Sequence, residues 1–238
     1  GTYAAITLSS AAARPTGYNR VVAIGDIHGS FVGLKAILKQ AGLIDESNRW
    51  VGGNTLLVQM GDAIDRGADV KQVMDLLMSL QSQAEVKKGK VVVLLGNHEV
   101  MNLVGSSQYV NPKAYMNFMA QDSIEKQEKA CERWWAVFGA AAAAEGADQE
   151  VLKQKWMMEH PQGFVEYNEV LGPEGKYGKW LRSQPAMFQY CGTIFLHGGI
   201  SPDFEEPATA INSKVAAAIK EFDEIRDYLI KKRFIEQY

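Results

Sequence analysis

Three short apolar runs organise the amino-terminal part of the chain, and each of them stops at a glycine. The runs are Val21–Ile24, Thr55–Met60 and Lys90–Leu95, and the glycines that follow them are Gly25, Gly61 and Gly96. Short apolar runs with β-branched residues and a turn residue at the end are typical of strands that are buried on both faces. The pattern therefore predicts three parallel strands in the interior of a sheet.

Helical patterns separate these runs. Ser30 precedes a segment with apolar residues on one helix face, and Gly42 ends it. A second helix is predicted from about Asp69 to Lys88, before Gly89. Serine favours the start of a helix and glycine its end. Strands that alternate with helices indicate βαβ units.

The rest of the chain predicts more helix and one hairpin. A helix-rich region runs from about Ser123 to His160, and a short helix from about Lys176 to Ser183. Two strands, Met187–Tyr190 and Thr193–Leu196, are joined by a tight turn. The last helix is predicted from about Pro207 to Lys232. We interpret residues 21–238 as one α/β domain with a helical insertion at about 113–183 that covers the sheet edge, and residues 1–20 as an extended lead-in without an element of its own.

Composition limits the partners. The chain has 238 residues, 47% of them hydrophobic and 22% charged, which is enough for one domain with a buried sheet. A net charge of -3 offers no basic face for nucleic acid. No apolar stretch approaches the roughly 18 residues of a membrane span. We therefore expect neither nucleic acid nor a lipid bilayer as a partner.

The compartment stays open. Cys131 and Cys191 lie in separate segments, so one disulfide or two free thiols are both possible. The chain begins with Gly1, and we expect that a leader or a longer amino terminus precedes it. A soluble protein, cytoplasmic or exported, fits either case.

Polar side chains follow every predicted strand that ends in glycine. The four stretches are G-D-I-H-G at 25–29, G-D-A-I-D-R-G at 61–67, G-N-H-E at 96–99 and H-G-G-I-S-P at 197–202. Parallel strands bring their carboxyl ends to one edge, where ligands bind in such sheets. Carboxylate, amide and imidazole groups are ligands for divalent ions. The sequence therefore predicts a metal site at this edge.

These four stretches, in this order, resemble the signature of the calcineurin-like metallophosphoesterases and, within them, the phosphoprotein phosphatases. The residues V-M-N after G-N-H-E and the helical insertion are similar to the bacterial Shewanella-like phosphatase branch. Glu99 and Gly198 favour this branch over the diadenosine tetraphosphate hydrolases. The resemblance implies an α/β sandwich of mixed β-sheets flanked by helices. It also implies hydrolysis of phosphomonoesters on serine, threonine or tyrosine by a hydroxide bound to two metal ions.

The resemblance assigns the metal ligands residue by residue. It implies that Asp26, His28 and Asp62 hold the first ion, and that Asp62, Asn97 and His197 hold the second. Asp62 then bridges the two ions, which would be Mn, Fe or Zn. Two ions about 3.5 to 4 Å apart stabilise the attacking and leaving oxygens of an in-line displacement.

The resemblance also assigns catalytic groups. Arg66, a planar two-pronged donor, is implied to bind the phosphate oxygens together with Asn97 and His98. His98, paired with Asp65, is implied to protonate the leaving alkoxide. An ion pair of Arg66 with Asp69, and simple packing of the His98–Asp65 pair, are the structural alternatives.

One departure from the family pattern concerns the second ion. Family members carry a further histidine ligand after H-G-G, and the only histidines here are His28, His98, His160 and His197. The second site is therefore incomplete in this chain. Three explanations stay open: the missing strands and histidine belong to a longer protein, which we expect; another group fills the position; or the protein is a non-catalytic relative.

Three functions follow as hypotheses. The first is a metal-dependent protein phosphatase with a phosphoprotein substrate. The second is a hydrolase of dinucleoside polyphosphates or other small phosphate esters. The third is a phosphate-binding module without catalysis, which the missing histidine motivates.

Overall fold

The fold is built around a central β-sheet, and the polar loops follow the carboxyl ends of its strands. The computed structural model describes residues 5–8, 17–143, 146, 148–201 and 205–236. The strands are β1 Ala5–Leu8, β2 Arg20–Ile24, β3 Thr55–Gln59, β4 Lys90–Val93, β5 Met187–Tyr190 and β6 Thr193–Leu196. The helices are α1 Phe31–Gln40, α2 Val70–Val86, α3 Asn97–Leu103, α4 Pro112–Met116, α5 Ser123–Trp134, α6 Ala140–Ala143, α7 Gln149–Glu159, α8 Phe164–Leu171, α9 Lys176–Arg182 and α10 Ala208–Lys231, with a π-helical turn at Trp135–Gly139.

The sheet is mixed. Its strand order is β1-β2-β3-β4, with β2, β3 and β4 parallel and β1 antiparallel to β2. Strands β5 and β6 form a separate antiparallel hairpin. The predicted α/β class, with parallel strands linked by α1 and α2, is confirmed.

Both faces of the sheet are covered, because alternate residues of each strand point to opposite sides. Val22, Leu57 and Val91 belong to the apolar cluster that includes the helices. Leu56 and Val92 belong to a second cluster, to which the β5–β6 hairpin contributes Phe195. This two-sided burial explains why the strands are continuous apolar runs rather than alternating ones.

Two parts of the chain differ from the sequence prediction. The lead-in, predicted to have no element, contains strand β1, which pairs with β2 along Ala5–Leu8; residues 1–4 and 9–16 of the lead-in lie outside the described residues. The segment after Gly96, in which the sequence pattern indicates no helix, begins α3 at Asn97. The side chain of Glu99 accepts a hydrogen bond from the Gly96 N–H at 2.8 Å, which satisfies a free donor at the helix start.

Helices α4 to α9 occupy the segment in which the sequence predicts a helical insertion. They pack on the rest of the fold through α2 and α3: the Trp180 indole donates to Gln81 Oε1 at 2.7 Å, and Tyr167 donates to Asn102. Trp156 is buried among apolar residues, so this aromatic side chain of the insertion serves packing. The insertion is thus tied to α3, the helix that starts at the strand-end motif.

The structure also bears on the two cysteines and on possible membrane-spanning helices. Cys131 is buried and Cys191 is exposed, and both are free thiols. Among the helices of the described ranges, none is long and apolar enough to cross a membrane.

Candidate metal centre

The four polar stretches meet at the carboxyl edge of the sheet. Asp26 and His28 lie in the loop after β2, and Asp62, Asp65 and Arg66 lie in the loop after β3. Asn97 and His98 open α3 after β4, and His197 directly follows β6. Pro202, the last residue of the fourth stretch, lies outside the described residues.

The first two loops are held together by their backbones. The N–H groups of Ile27 and His28 both donate to the Asp62 carbonyl at 2.9 Å, and the Gly67 N–H donates to the His28 carbonyl at 2.9 Å. A Cβ atom at Gly67 would lie 2.4 Å from that carbonyl oxygen, so only glycine permits this approach. The loops therefore form one rigid unit.

Four site residues adopt a left-handed backbone conformation that non-glycine residues seldom use. The φ angles are +47° for His28, +54° for Asp62, +68° for Asp65 and +61° for Arg66. Such strain clusters at functional sites, where the surrounding structure enforces it. Here it turns the side chains of neighbouring residues toward a common point.

Asp62 lies at that point. Its carboxylate is buried, and its Oδ2 atom is 3.3 Å from Nε2 of His197, 3.7 Å from Nε2 of His28 and 3.8 Å from Nε2 of His98. Two of these separations exceed a hydrogen bond. Three imidazole nitrogens that face one buried carboxylate oxygen form an arrangement suited to cations lying between them.

The orientation of two of these imidazoles is fixed from behind. His28 Nδ1 lies 3.1 Å from the Ile64 carbonyl, and His197 Nδ1 lies 3.0 Å from the Met60 carbonyl. A carbonyl accepts a hydrogen bond, so Nδ1 carries the proton and Nε2 keeps its lone pair in the neutral ring. Ligating histidines in proteins are oriented in this way.

The residues present fit divalent ions. His28 Nε2 is buried and has no hydrogen-bond partner among the described residues, although its lone pair faces the cluster. Two groups of ligand atoms lie close enough together to hold an ion: His28, Asp62 and His98 in one, and Asp26, Asp62 and His197 in the other. Asp62 belongs to both groups, which is the property expected of a bridging carboxylate.

The predicted ligands converge around Asp62, and Asp26 and Asn97 lie beside the histidines. Asp26 lies 3.5 Å from His28 Nε2 and 3.9 Å from His197 Nδ1, so it borders both halves. Asn97 Oδ1 lies 3.1 Å from His197 Nε2. His98, predicted as a proton donor, also stands close enough to Asp62 and His28 to be a ligand.

His98 and Asp65 form a buried pair. His98 Nδ1 lies 2.7 Å from Asp65 Oδ2, and both side chains are almost completely shielded from solvent. The His98 Nε2 atom faces the cluster and lies 3.3 Å from Nη2 of Arg66. The guanidinium of Arg66 therefore points into the site.

The fourth histidine lies elsewhere. His160 stacks on Trp156 with 4.1 Å between ring centroids, and its Nδ1 lies 2.8 Å from the Trp156 carbonyl. His160 thus belongs to the packing of the helical insertion.

Glu99 is the site residue whose role the sequence does not reveal. Its carboxylate accepts N–H bonds from Asp62 and Ala63 at 2.8 Å and from Ile64 at 3.3 Å, besides the bond from Gly96. Burial raises the pKa of Glu99, and the backbone N–H donors act in the opposite direction. Glu99 thus holds the Asp62 loop against the start of α3. Sequence showed only that a carboxylate follows G-N-H.

We expect Glu99→Gln to destabilise the protein by about 3 kcal/mol, because the amide places an N–H donor against backbone N–H donors in a buried site. Urea unfolding measures the change in free energy. Glu159→Gln, at a side chain that is 58% exposed, is the matched control and should be neutral. An equal loss in both variants would contradict the role of Glu99 in holding the loop.

The comparisons with known proteins agree with this geometry. The sequence model of the calcineurin-like phosphoesterase family matches residues 19–233. Shewanella-like protein phosphatase 1 of Plasmodium berghei is 32% identical over 182 residues, which cover 76% of this chain and 39% of the relative. Shewanella-like protein phosphatase 2 of Arabidopsis thaliana is 44% identical over 99 residues, 42% of this chain and 25% of the relative.

Solved structures show the same fold. The crystal structure of a cold-active protein-tyrosine phosphatase of a psychrophilic Shewanella species has a TM-score of 0.60 and 26% identity, and the match covers 85% of this chain and 50% of that one. A point mutant of a cold-active protein tyrosine phosphatase gives a TM-score of 0.62 and 26% identity, with 90% and 52% covered. The chain spans about half the length of these structures and less of the curated relatives.

Proposed function

Because the chain belongs to the calcineurin-like phosphoesterase family, we propose that it carries the catalytic site of a metal-dependent protein phosphatase. The family implies divalent metal ions and a phosphorylated substrate. The observation that carries the proposal is the convergence of three imidazole Nε2 atoms on the buried Asp62 carboxylate. The names of the relatives, which are protein phosphatases, support the same reaction class.

We assign two ions to this centre. Asp26, His28 and Asp62 would hold the first, and Asp62, Asn97 and His197 the second. Mn, Fe and Zn all accept such a mixture of imidazole and oxygen ligands. When bound, the ions would lower the pKa of water and stabilise the negative charge of the phosphate oxygens. Each ion then has three ligands from this chain.

The chain's own residues perform the remaining steps. Arg66 orients the phosphate through its paired N–H donors, with Asn97 and His98 beside it. Water attacks phosphorus, and the bond between phosphorus and the alkoxide oxygen breaks. His98, protonated at both ring nitrogens, gives its Nε2 proton to that oxygen, and the proton released by the attacking water restores His98. Asp65 holds the Nδ1–H of His98, so that Nε2 is the atom that faces the substrate.

A substrate panel tests the proposal with the full-length, metal-loaded protein. We expect phosphoserine and phosphotyrosine peptides to be hydrolysed with a higher kcat/KM than diadenosine tetraphosphate. A preference for the dinucleotide would assign the site to small phosphate esters instead. Phosphate binding without hydrolysis of any substrate would indicate a non-catalytic module and would contradict the proposal.

A further inference from the structure

A chain of buried hydrogen bonds connects the helical insertion to the candidate proton donor. The Tyr167 hydroxyl, on α8, donates to Asn102 Oδ1 at 2.6 Å. Asn102 Nδ2 donates to Asp65 Oδ1 at 2.9 Å and to the His98 carbonyl at 2.9 Å. The other oxygen of Asp65 accepts from His98 Nδ1. The chain thus runs from the insertion through α3 to the imidazole.

Each bond in this chain has a defined direction. The Asp65 carboxylate and the His98 carbonyl only accept, so the Asn102 amide faces them with Nδ2 and faces Tyr167 with Oδ1. Burial raises the pKa of Tyr167 well above its usual value, so the phenol keeps the proton that it donates to Oδ1. The Asp65 carboxylate accepts at both oxygens, from Asn102 and from His98. Nδ1 of His98 therefore keeps a proton toward Asp65, and Nε2, which carries the second proton in the form that acts as an acid, faces the site.

The hydroxyl of Tyr167 is not explained by packing. The ring is enclosed by Tyr115 and Phe118, each with a centroid 5.1 Å away in an edge-on arrangement, and a phenylalanine ring would fill the same space. The hydroxyl adds the hydrogen bond to Asn102. A buried hydroxyl that bonds to the support of a candidate catalytic pair points to a role in the reaction.

We propose that Tyr167 is a positioning residue, which acts through Asn102 to hold the Asp65 carboxylate and thereby the orientation of the His98 imidazole. The inference rests on the proposed function, since it concerns the group that protonates the leaving alkoxide. It extends the site into α8 of the helical insertion. Partners behind a functional imidazole typically change activity by about 10- to 100-fold when they are removed.

Leaving groups of different basicity test this role. An alkoxide from a phosphoserine peptide needs a proton from the enzyme, whereas the anion from p-nitrophenyl phosphate leaves without one. In the full-length, metal-loaded protein, we expect Tyr167→Phe to lower kcat on the phosphoserine peptide by about 10-fold with KM unchanged. Hydrolysis of the nitrophenyl ester should be nearly unaffected.

Tyr177→Phe is the matched control. Tyr177 is also a buried tyrosine of the insertion whose ring contacts Phe118, but its hydroxyl bonds to Asp75, away from the site. This variant should leave both substrates unaffected. Equal losses on both substrates in Tyr167→Phe would indicate a merely structural role and overturn the proposal, as would no loss on either.

A spectroscopic measurement keeps the proposal testable if Tyr167→Phe does not fold. The ¹⁵N signals of labelled histidine in the zinc-loaded wild-type protein should show His98 protonated at Nδ1 and hydrogen-bonded there. A ring protonated at Nε2 alone would overturn it. Failure of the proposed function is separate, because it would appear as retained hydrolysis in Asp62→Asn.

Discussion

Asp62→Asn is expected to lower the hydrolysis of phosphomonoesters by about a thousandfold or more and to remove bound metal. Asp62 is the residue shared by both candidate ligand groups, and its Oδ2 faces three imidazoles. The amide keeps the shape but loses the negative charge that attracts the ions. Metal ions contribute several kcal/mol to transition-state stabilisation, and each 1.4 kcal/mol is about a factor of ten in rate.

Metal content and kcat/KM are measured on the same preparations. Asp227→Asn is the matched control, because Asp227 pairs with Lys231 on α10 and its side chain is 61% exposed. That variant should keep wild-type metal content and activity. Unchanged hydrolysis in Asp62→Asn would remove the basis for a metal-dependent reaction at this site.

His98→Asn is expected to lower kcat on a phosphoserine peptide by about 10² to 10⁴, the usual range for a general acid. The amide can still bond to Asp65, but it has no group that donates a proton at the position of Nε2. The reduction should be much smaller for p-nitrophenyl phosphate, whose leaving group needs no proton. Rates on both esters therefore report the chemical role directly.

Metal analysis of the same variant separates the two roles that the structure permits for His98. A proton donor can be replaced without loss of metal, whereas a ligand cannot. We expect the metal content of His98→Asn to equal that of the wild type. A loss of one ion would assign His98 to the ligand group of His28 and Asp62 instead. His160→Asn, in the helical insertion, is the control for a histidine replacement.

The sequence predicted the strands and their polar ends because both are local signals. The three predicted apolar runs correspond to strands β2, β3 and β4, and their ends differ from the predicted ones by two residues at most. The hairpin strands Met187–Tyr190 and Thr193–Leu196 have the predicted bounds. Since parallel strands must align, Asp26, Asp62 and Asn97 were expected at one edge without any knowledge of the loops.

Long-range contacts account for what the sequence could not predict. Glu99 bonds to backbone N–H groups more than thirty positions away, and Tyr167 reaches Asn102 across 65 positions. Such partners are fixed by tertiary packing and leave no periodic pattern. Strand β1 was missed for the same reason, since its pairing with β2 is not encoded in its Ala- and Ser-rich surroundings.

The glycines illustrate a limit of motif interpretation. Glycines at strand ends typically allow turns or a close approach of two backbones. Gly29, Gly61, Gly67 and Gly96 fit, because an added Cβ would meet other atoms at 2.9 Å or less. Gly25, Gly198 and Gly199 do not, because a Cβ there meets nothing within 4 Å. Among the described residues, no neighbouring atom would clash with a larger side chain at these three positions, so close packing does not explain the glycines there.

The central claim is a pair of metal ions that share the Asp62 carboxylate. Anomalous diffraction from crystals of the full-length protein, loaded with manganese or zinc, locates such ions directly. The account predicts two peaks about 3.5 to 4 Å apart on either side of Asp62, with His28 and His197 on different ions. Peaks that do not contact Asp62, or a single ion at full loading, would contradict it.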